Sequence, residues 1–375
     1  MLKYGFITAI VVSLSTAAAD SQEFTSELAP LRAEIVASGL ENPWGLAFLG
    51  NGEAIVTERP GRMRILSASG LSEPLSGLPE IAAIGQGGLL DVAIASDFAT
   101  SGTIFFTFSE PGEGGAGTAL ASARLMRQGA GGRLENVKTI FSMNRKTDTE
   151  RHFGSRVVIG SDGTLFITTG DRGQGERAQD NFDHAGAVLR INADGSIPAN
   201  NPFADGKSGA PEIWSKGHRN LQGATIDAAT GRLLTVEHGA QGGDEINAPE
   251  PGKNYGWPLI SYGVDYGGGK IGLGTEAPGL EQPLFYWDPS IAPSGLVVYD
   301  GAMFPEWKGD LLVGSLKFAL LSRLDRDSAG NIAGEERMLA GQFGRIRDVN
   351  QAPDGSVWLL TDEANGAVIR VSRGQ

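Results

Sequence analysis

The sequence predicts an all-β fold, a six-bladed β-propeller, and three observations carry that reading. A polar residue and a glycine precede a short apolar run six times, at Asn51-Gly52, Ser101-Gly102, Asp162-Gly163, Thr230-Gly231, Lys308-Gly309 and Asp354-Gly355. Successive copies lie 46 to 78 residues apart, irregular but close to the length of a propeller blade with inserted loops. Long helical periodicity is hard to find, whereas 55 glycines and 18 prolines among 375 residues supply turns. Hydrophobic residues, at 41%, still suffice for a core. A pair of β-sandwiches is the alternative, but it leaves the recurring turn unexplained.

Taken in order, residues 1–19 read as a secretory signal peptide, with Lys3 at the start, an apolar run over 5–14 and Ala17-Ala18-Ala19 at the cleavage site. This implies a periplasmic or secreted protein with no membrane insertion after cleavage. Residues 20–32 form a polar lead-in of no clear structure, and 33–375 a single propeller domain. The strand-like ending Gly366-Ala367-Val368-Ile369-Arg370-Val371 is expected to pair with the strand after Pro30 and close the ring. The absence of cysteine excludes disulfides, thiolate metal sites and a cysteine nucleophile. A formal charge of -13 argues against nucleic acid or an anionic membrane as partner, although basic residues converging locally can still hold a small anion.

The stretch 151–172 carries the clearest chemistry. His152 precedes an apolar run, Asp162-Gly163 makes a tight turn, and a second β-rich run delivers Asp171 and Arg172. Two strands joined by that turn bring His152 and Asp171 to one end of a hairpin, a base with a carboxylate to orient it. A histidine merely filling a loop reads the same on spacing alone. Arg219 and Asn220 sit before a glycine-punctuated turn, a pair suited to a carboxylate and adjacent carbonyl, or to a surface salt bridge. In 237–247 a strand enters a glycine-rich loop with acids at its far end, which is either an ordinary long turn or a source of the oxygen ligands calcium accepts. Lys317, Arg345 and Arg347 lie near strand ends, and the two arginines alternate about Ile346 so that both face one side. Such a cluster in an acidic protein suggests a ligand with several carboxylates or phosphates. Gln86 adds an amide between glycines. Gly112-Glu113-Gly114-Gly115-Ala116-Gly117 matches a dinucleotide-binding spacing, but no further βαβ units follow, so it reads as a glycine-rich hairpin loop.

Together these stretches resemble the soluble, pyrroloquinoline-quinone-dependent sugar dehydrogenases, the glucose/sorbosone and aldose sugar dehydrogenase family. The resemblance runs from Asn42-Pro43-Trp44-Gly45 to Arg345-Ile346-Arg347-Asp348-Val349. It implies pyrroloquinoline quinone (PQQ) and Ca2+ as cofactors, an aldose as substrate and a soluble electron acceptor, in a monomer or homodimer. On that resemblance His152 is the general base and Asp171 its orienting carboxylate. Gln86, Arg219, Asn220, Lys317, Arg345 and Arg347 contact the quinone, and the carbonyls of Gly239 and Ala240 hold a calcium that acts as a Lewis acid. Glu245, with Tyr255 and Asp265, holds a second, structural calcium, and Trp287 forms a wall over the cofactor. Ala240 stands where glucose-oxidising members have proline, and Arg151 where they carry an acid, so broad aldose oxidation is expected. Two other classes remain open: a calcium-dependent propeller lactonase with no use for Lys317, Arg345 and Arg347, and a non-catalytic carbohydrate-binding propeller.

Overall fold

The computed structural model describes residues 21–375, so the signal-peptide reading of 1–19 lies outside the described residues. Six antiparallel sheets form the blades of a propeller. Blades 1 to 5 have four strands each and span 43–71, 89–142, 157–216, 221–287 and 293–338. Blade 6 joins the strands of 346–373 to Pro30–Leu40, with Ser21–Thr25 outermost. The inner strands Pro43–Phe48, Leu89–Ile94, Val157–Ile159, Leu221–Ile226, Pro293–Val298 and Ile346–Gln351 contact one another in a closed ring. No helix among the described residues is long and apolar enough to cross a membrane.

Each of the six turns read from the sequence joins the first strand of a blade to its second. In blades 1 to 3, a threonine of the run that follows binds the next blade. Thr57 donates to the Leu90 carbonyl, Thr107 to that of Ser155 at 2.6 Å, and Thr168 to that of Leu221 at 3.2 Å. A buried hydroxyl needs a partner, and here that partner belongs to the neighbouring blade. Apolar side chains do the same between sheets: Ile55, Leu89, Phe106 and Ala121 pack blade 1 on blade 2, and Phe105, Val157, Leu165 and Leu189 pack blade 2 on blade 3.

Closure follows the expected pairing, with Pro30–Leu40 antiparallel to Gly366–Arg373 and Ile35 opposite Ile369. The lead-in needs correction. Residues 21–25 are a strand, Ser21 opposite Glu34 and Thr25 opposite Pro30: the outer edge of blade 6 accepts their backbone, and half-buried Phe24, among polar and exposed neighbours, packs on the blade 6 core against Phe343. The glycine-rich stretch at 112–117 is a hairpin, Gly112 opposite Gly115, joining Thr103–Gly112 to Gly115–Gln128.

Five of the six inner strands have a register shift near their start, between Pro43/Leu46, Leu89/Val92, Leu221/Gly223, Pro293/Leu296 and Ile346/Asp348. Bulges re-aim side chains at the rims of closed sheets. Here they mark the end of the ring where the candidate residues gather.

Candidate active site

Inner strands begin and second strands end at the same face of the ring, and the loops of that face carry the chemistry. His152 lies just before the inner strand of blade 3, and Asp171 just after its second strand. Val157 pairs with Ile167, so the hairpin brings the two side chains together, with His152 Nδ1 2.6 Å from Asp171 Oδ1. The close approach requires Gly170, where a Cβ would collide with the His152 carbonyl. Asp171 Oδ1 also accepts from Gly173 N at 2.6 Å, and Oδ2 from Trp257 Nε1 at 2.8 Å. A carboxylate so held makes Nδ1 the protonated nitrogen of the imidazole. Nε2 makes no hydrogen bond among the described residues. Burial pushes the imidazole below its usual range, Arg219 and Arg151 add to this, and the hydrogen bond to Asp171 opposes it. Asp171 itself is held below the usual carboxylate range: burial opposes, but His152, Gly173 and Arg219 prevail.

His152 and Asp171 open on a cleft of about 370 Å³ walled by Trp257, Pro258, Tyr266 and Ile271, with Arg151, Glu176 and Asp265 at its margin. Next to it is a cavity of about 260 Å³ lined by Gln86, Asn220, Arg345 and Arg347. Gln86 connects the two, its Oε1 accepting the His152 N–H at 2.8 Å. Asn220 Oδ1 accepts from Gly154 N at 3.2 Å. Arg347 donates to Gln222 Oε1 at 2.8 Å and to Asp362 Oδ2 at 2.5 Å, and Arg345 approaches the same carboxylate at 3.5 Å. Among the described residues, Asp362 is the only carboxylate lining this cavity, against three guanidinium groups, those of Arg59, Arg345 and Arg347. Burial is the chief reason that Arg347 falls below its usual range, and a charge held so poorly solvated favours an anionic ligand.

Beneath the cavity, Arg156 ties blades together, 3.1 Å from Asp91 and 2.8 Å from Asp348, donating to the Gln222 and Arg347 carbonyls and lying 4.2 Å over the Trp44 ring. Arg219 donates to the carbonyls of His238 (3.3 Å) and Gly239, and lies 5.2 Å over Trp257 between cleft and loop.

Lys317 is exposed, its Nζ 5.2 Å over the Phe318 ring, and its neighbour Leu316 lines the cavity instead. Trp287 is buried between blades 4 and 5 with Leu296 and Val313, its N–H donated to Glu335 at 2.9 Å, so it is core and not a wall over the cavity. Ala240 lines the His152 cleft, and Gly239 N donates to Asp244 Oδ1 at 2.8 Å. Glu245 and Tyr255 share a small recess with Glu237, whereas Asp265 belongs to the His152 cleft, so the structure does not bring these three together. The Tyr255 hydroxyl donates to the Ala248 carbonyl at 2.5 Å. Glu237 and Glu245 face each other across paired strands and share the Asn247 amide at 3.0 and 3.1 Å. Burial, and after it Glu237, pushes Glu245 up to about 8. Among the described residues no group of three or more His, Cys, Asp or Glu side chains is arranged to hold a metal ion.

Sequence reasoning missed Trp257, Asp362, Gln222, His238 and Arg59. Asp362 had a signal, since it ends the apolar run after the sixth turn, as Glu237 ends the fourth. Trp257 had none, lying 86 residues from the carboxylate it holds. His238 lines both the cavity and the recess; burial first, then Arg219 and Arg347, push it down to about 3, while its Nε2 bonds the Pro293 carbonyl at 2.7 Å.

Known proteins share this arrangement at length. The family model described as Glucose / Sorbosone dehydrogenase matches residues 40–370. The aldose sugar dehydrogenase YliI of Escherichia coli K12 is 41% identical over 355 residues, which cover 92% of this chain and 93% of the relative. A crystal structure described as glucose dehydrogenase superposes with a TM-score of 0.89 at 44% identity, over 91% of this chain and 99% of that one. The PQQ-bound form of an aldose sugar dehydrogenase from Streptomyces coelicolor superposes with a TM-score of 0.75 at 27% identity, over 95% of this chain and 100% of that one. The match runs from the first blade into the last strand of the ring: the chain belongs to the glucose/sorbosone dehydrogenase family.

Proposed function

We propose that the protein is an exported quinoprotein that oxidises the C1 hydroxyl of aldose sugars to lactones and passes the electrons to a soluble acceptor. The observation that carries this reading is the adjacency of the buried His152–Asp171 pair to a cavity with three guanidinium groups and one carboxylate, linked through Gln86. The residues present fit a tricarboxylic quinone, since the buried Nε atoms of Arg59, Arg219 and Arg347 have no partner. Gln86, Asn220, Arg345 and Arg347 would hold it and Arg219 would face it from the cleft side, whereas Lys317, outside the cavity lining, would have to turn away from Phe318 to reach it. Calcium also fits: the Gly239 and Ala240 carbonyls lie in the loop between cleft and recess, and the buried Asn247 Oδ1 has no partner beside the two facing glutamates. When bound, PQQ with calcium supplies a two-electron hydride acceptor made more electrophilic by the metal. Glu245 and Tyr255 belong to a structural calcium in this reading, with Asp265 the outlier.

The chain's own part is proton and position. His152 Nε2 takes the proton of the anomeric hydroxyl as the C1 hydrogen leaves with its electron pair, so C1 becomes the lactone carbonyl carbon. Asp171 keeps Nδ1 protonated, stabilises the imidazolium and fixes the ring plane. Trp257, Pro258 and Tyr266 form the wall on which a sugar face can pack.

Apoprotein given PQQ and calcium should reduce a redox dye in the presence of aldoses and release lactone, with neither activity when the quinone is omitted. Lactone hydrolysis by the quinone-free, calcium-loaded protein, with no dye reduction by any aldose, would make it a hydrolase instead. Export rests on residues 1–19 and is tested by fractionating cells that express the full chain.

A further inference from the structure

Arg172, next to Asp171, is fully buried, and its nearest acidic neighbour is already occupied by His152, Gly173 and Trp257. The guanidinium donates instead to two main-chain carbonyls, those of Thr149 at 2.5 Å and Arg151, and lies 3.4 Å over the Phe153 ring. Its own carbonyl accepts from Thr149 Oγ1 at 2.7 Å, and its Nε has no partner. The segment it grips, 149–153, contains His152. Arg172 lines none of the cavities described, and both it and His152 hold left-handed backbone conformations, φ 55° and 57°.

These features are expensive in stability. A buried charge without an ionic partner and two non-glycine residues at positive φ each work against folding. Burial, then Arg177, pushes Arg172 down to about 10. Packing alone would be served by an apolar side chain. What the arginine adds is a planar fork that fixes two carbonyls at once, one on the residue immediately before His152, while the stacked ring is the residue immediately after.

We infer that Arg172 is a positioning residue for the catalytic base: the Asp171-Arg172 dipeptide holds His152 twice, the carboxylate gripping the ring and the guanidinium gripping the backbone before it and the Phe153 ring after it. This rests on the reading of His152 as the base. A lysine keeps the charge but offers one nitrogen in place of a planar fork and so cannot hold the two carbonyls in the same fixed geometry; the loop would gain freedom and the imidazole would leave its plane for part of the time. Misplacement on the ångström scale can cost about 100-fold in turnover.

The test uses Arg172→Lys, with Arg172→Met as a second variant that removes the buried charge and so does not depend on lysine being tolerated there. The first readout needs neither cofactor nor sugar. In the apoprotein, the downfield proton resonance of the His152–Asp171 hydrogen bond, assigned by its loss in His152→Ala, should broaden or move upfield in both variants. The corresponding resonances of His184–Glu212 and His218–Glu237 should stay in place. In reconstituted enzyme, kcat should fall about 10- to 100-fold with KM and PQQ affinity within about threefold. An unmoved His152–Asp171 resonance in a folded variant, or a loss of thermal stability with kcat unchanged, would overturn the inference. If the wild-type protein oxidises no aldose, the functional reading fails while the resonance still reports on the clamp.

Discussion

At the residue scale, the surroundings of His152, the base proposed above, disfavour its protonated form. Burial lowers its affinity for a proton first, Arg219 and Arg151 lower it further, and Asp171 pulls the other way. Activity should therefore persist below the usual histidine range and fall as pH drops through the depressed value. Arg151→Met removes a positive charge, which raises that value and moves the acid limb of the kcat/KM profile to higher pH, most clearly at low ionic strength. A limb that stays or moves to lower pH would show that Arg151 does not act on the base. The pairing of His152 with Asp171 was legible in the sequence because a tight turn and two alternating runs fix it locally. Trp257 was not legible, since it reaches Asp171 from an insertion in another blade, and no local pattern announces such a contact. Trp287 was placed over the cofactor only by the family resemblance, and here it faces Leu296 and Val313 in the core.

At the scale of elements, the loop 237–247 and its flanking strands decide where charge accumulates in blade 4. Glu237 and Glu245 lie opposite each other in register and share one amide, an arrangement that repels when both are ionised and so favours either a proton or a cation between them. Calcium should raise the thermal midpoint of the wild-type apoprotein. In Glu245→Gln the calcium-free midpoint should be equal or higher and the calcium-induced rise should disappear. An undiminished rise in that variant would move the structural calcium elsewhere. The acids at the end of this loop were legible as a candidate oxygen site. Their grouping was not, because Asp265 and Tyr255 both belong to the 247–285 insertion, and the fold sends one to the His152 cleft and the other to the recess.

At the scale of the molecule, stability depends on joining the chain's two ends in blade 6. Leu31 is fully buried against Ile369 and Val371, so Leu31→Ala should cost about 2–5 kcal/mol in denaturant unfolding. Removing residues 21–25 should cost less than Leu31→Ala, since half-buried Phe24 is the one side chain of that edge strand packed on the core. Equal effects of the two changes would mean that the ring is not closed by Pro30–Leu40. The propeller was legible because each blade repeats the same turn between its first and second strands, and three of the runs that follow carry a threonine that binds the next blade. The edge strand was not, because Phe24 stands alone among four polar residues and the pairing is dictated by the backbone of its partner.

The ring brings loops from distant blades to one face, and the central claim is that His152 is the proton acceptor there. The most direct measurement compares wild type and His152→Ala, each loaded with PQQ and calcium, for aldose-dependent dye reduction, with quinone affinity determined separately by titration. Equal affinity is expected, with a loss of turnover of about 10²- to 10⁴-fold in the variant. Undiminished turnover in His152→Ala would contradict the claim.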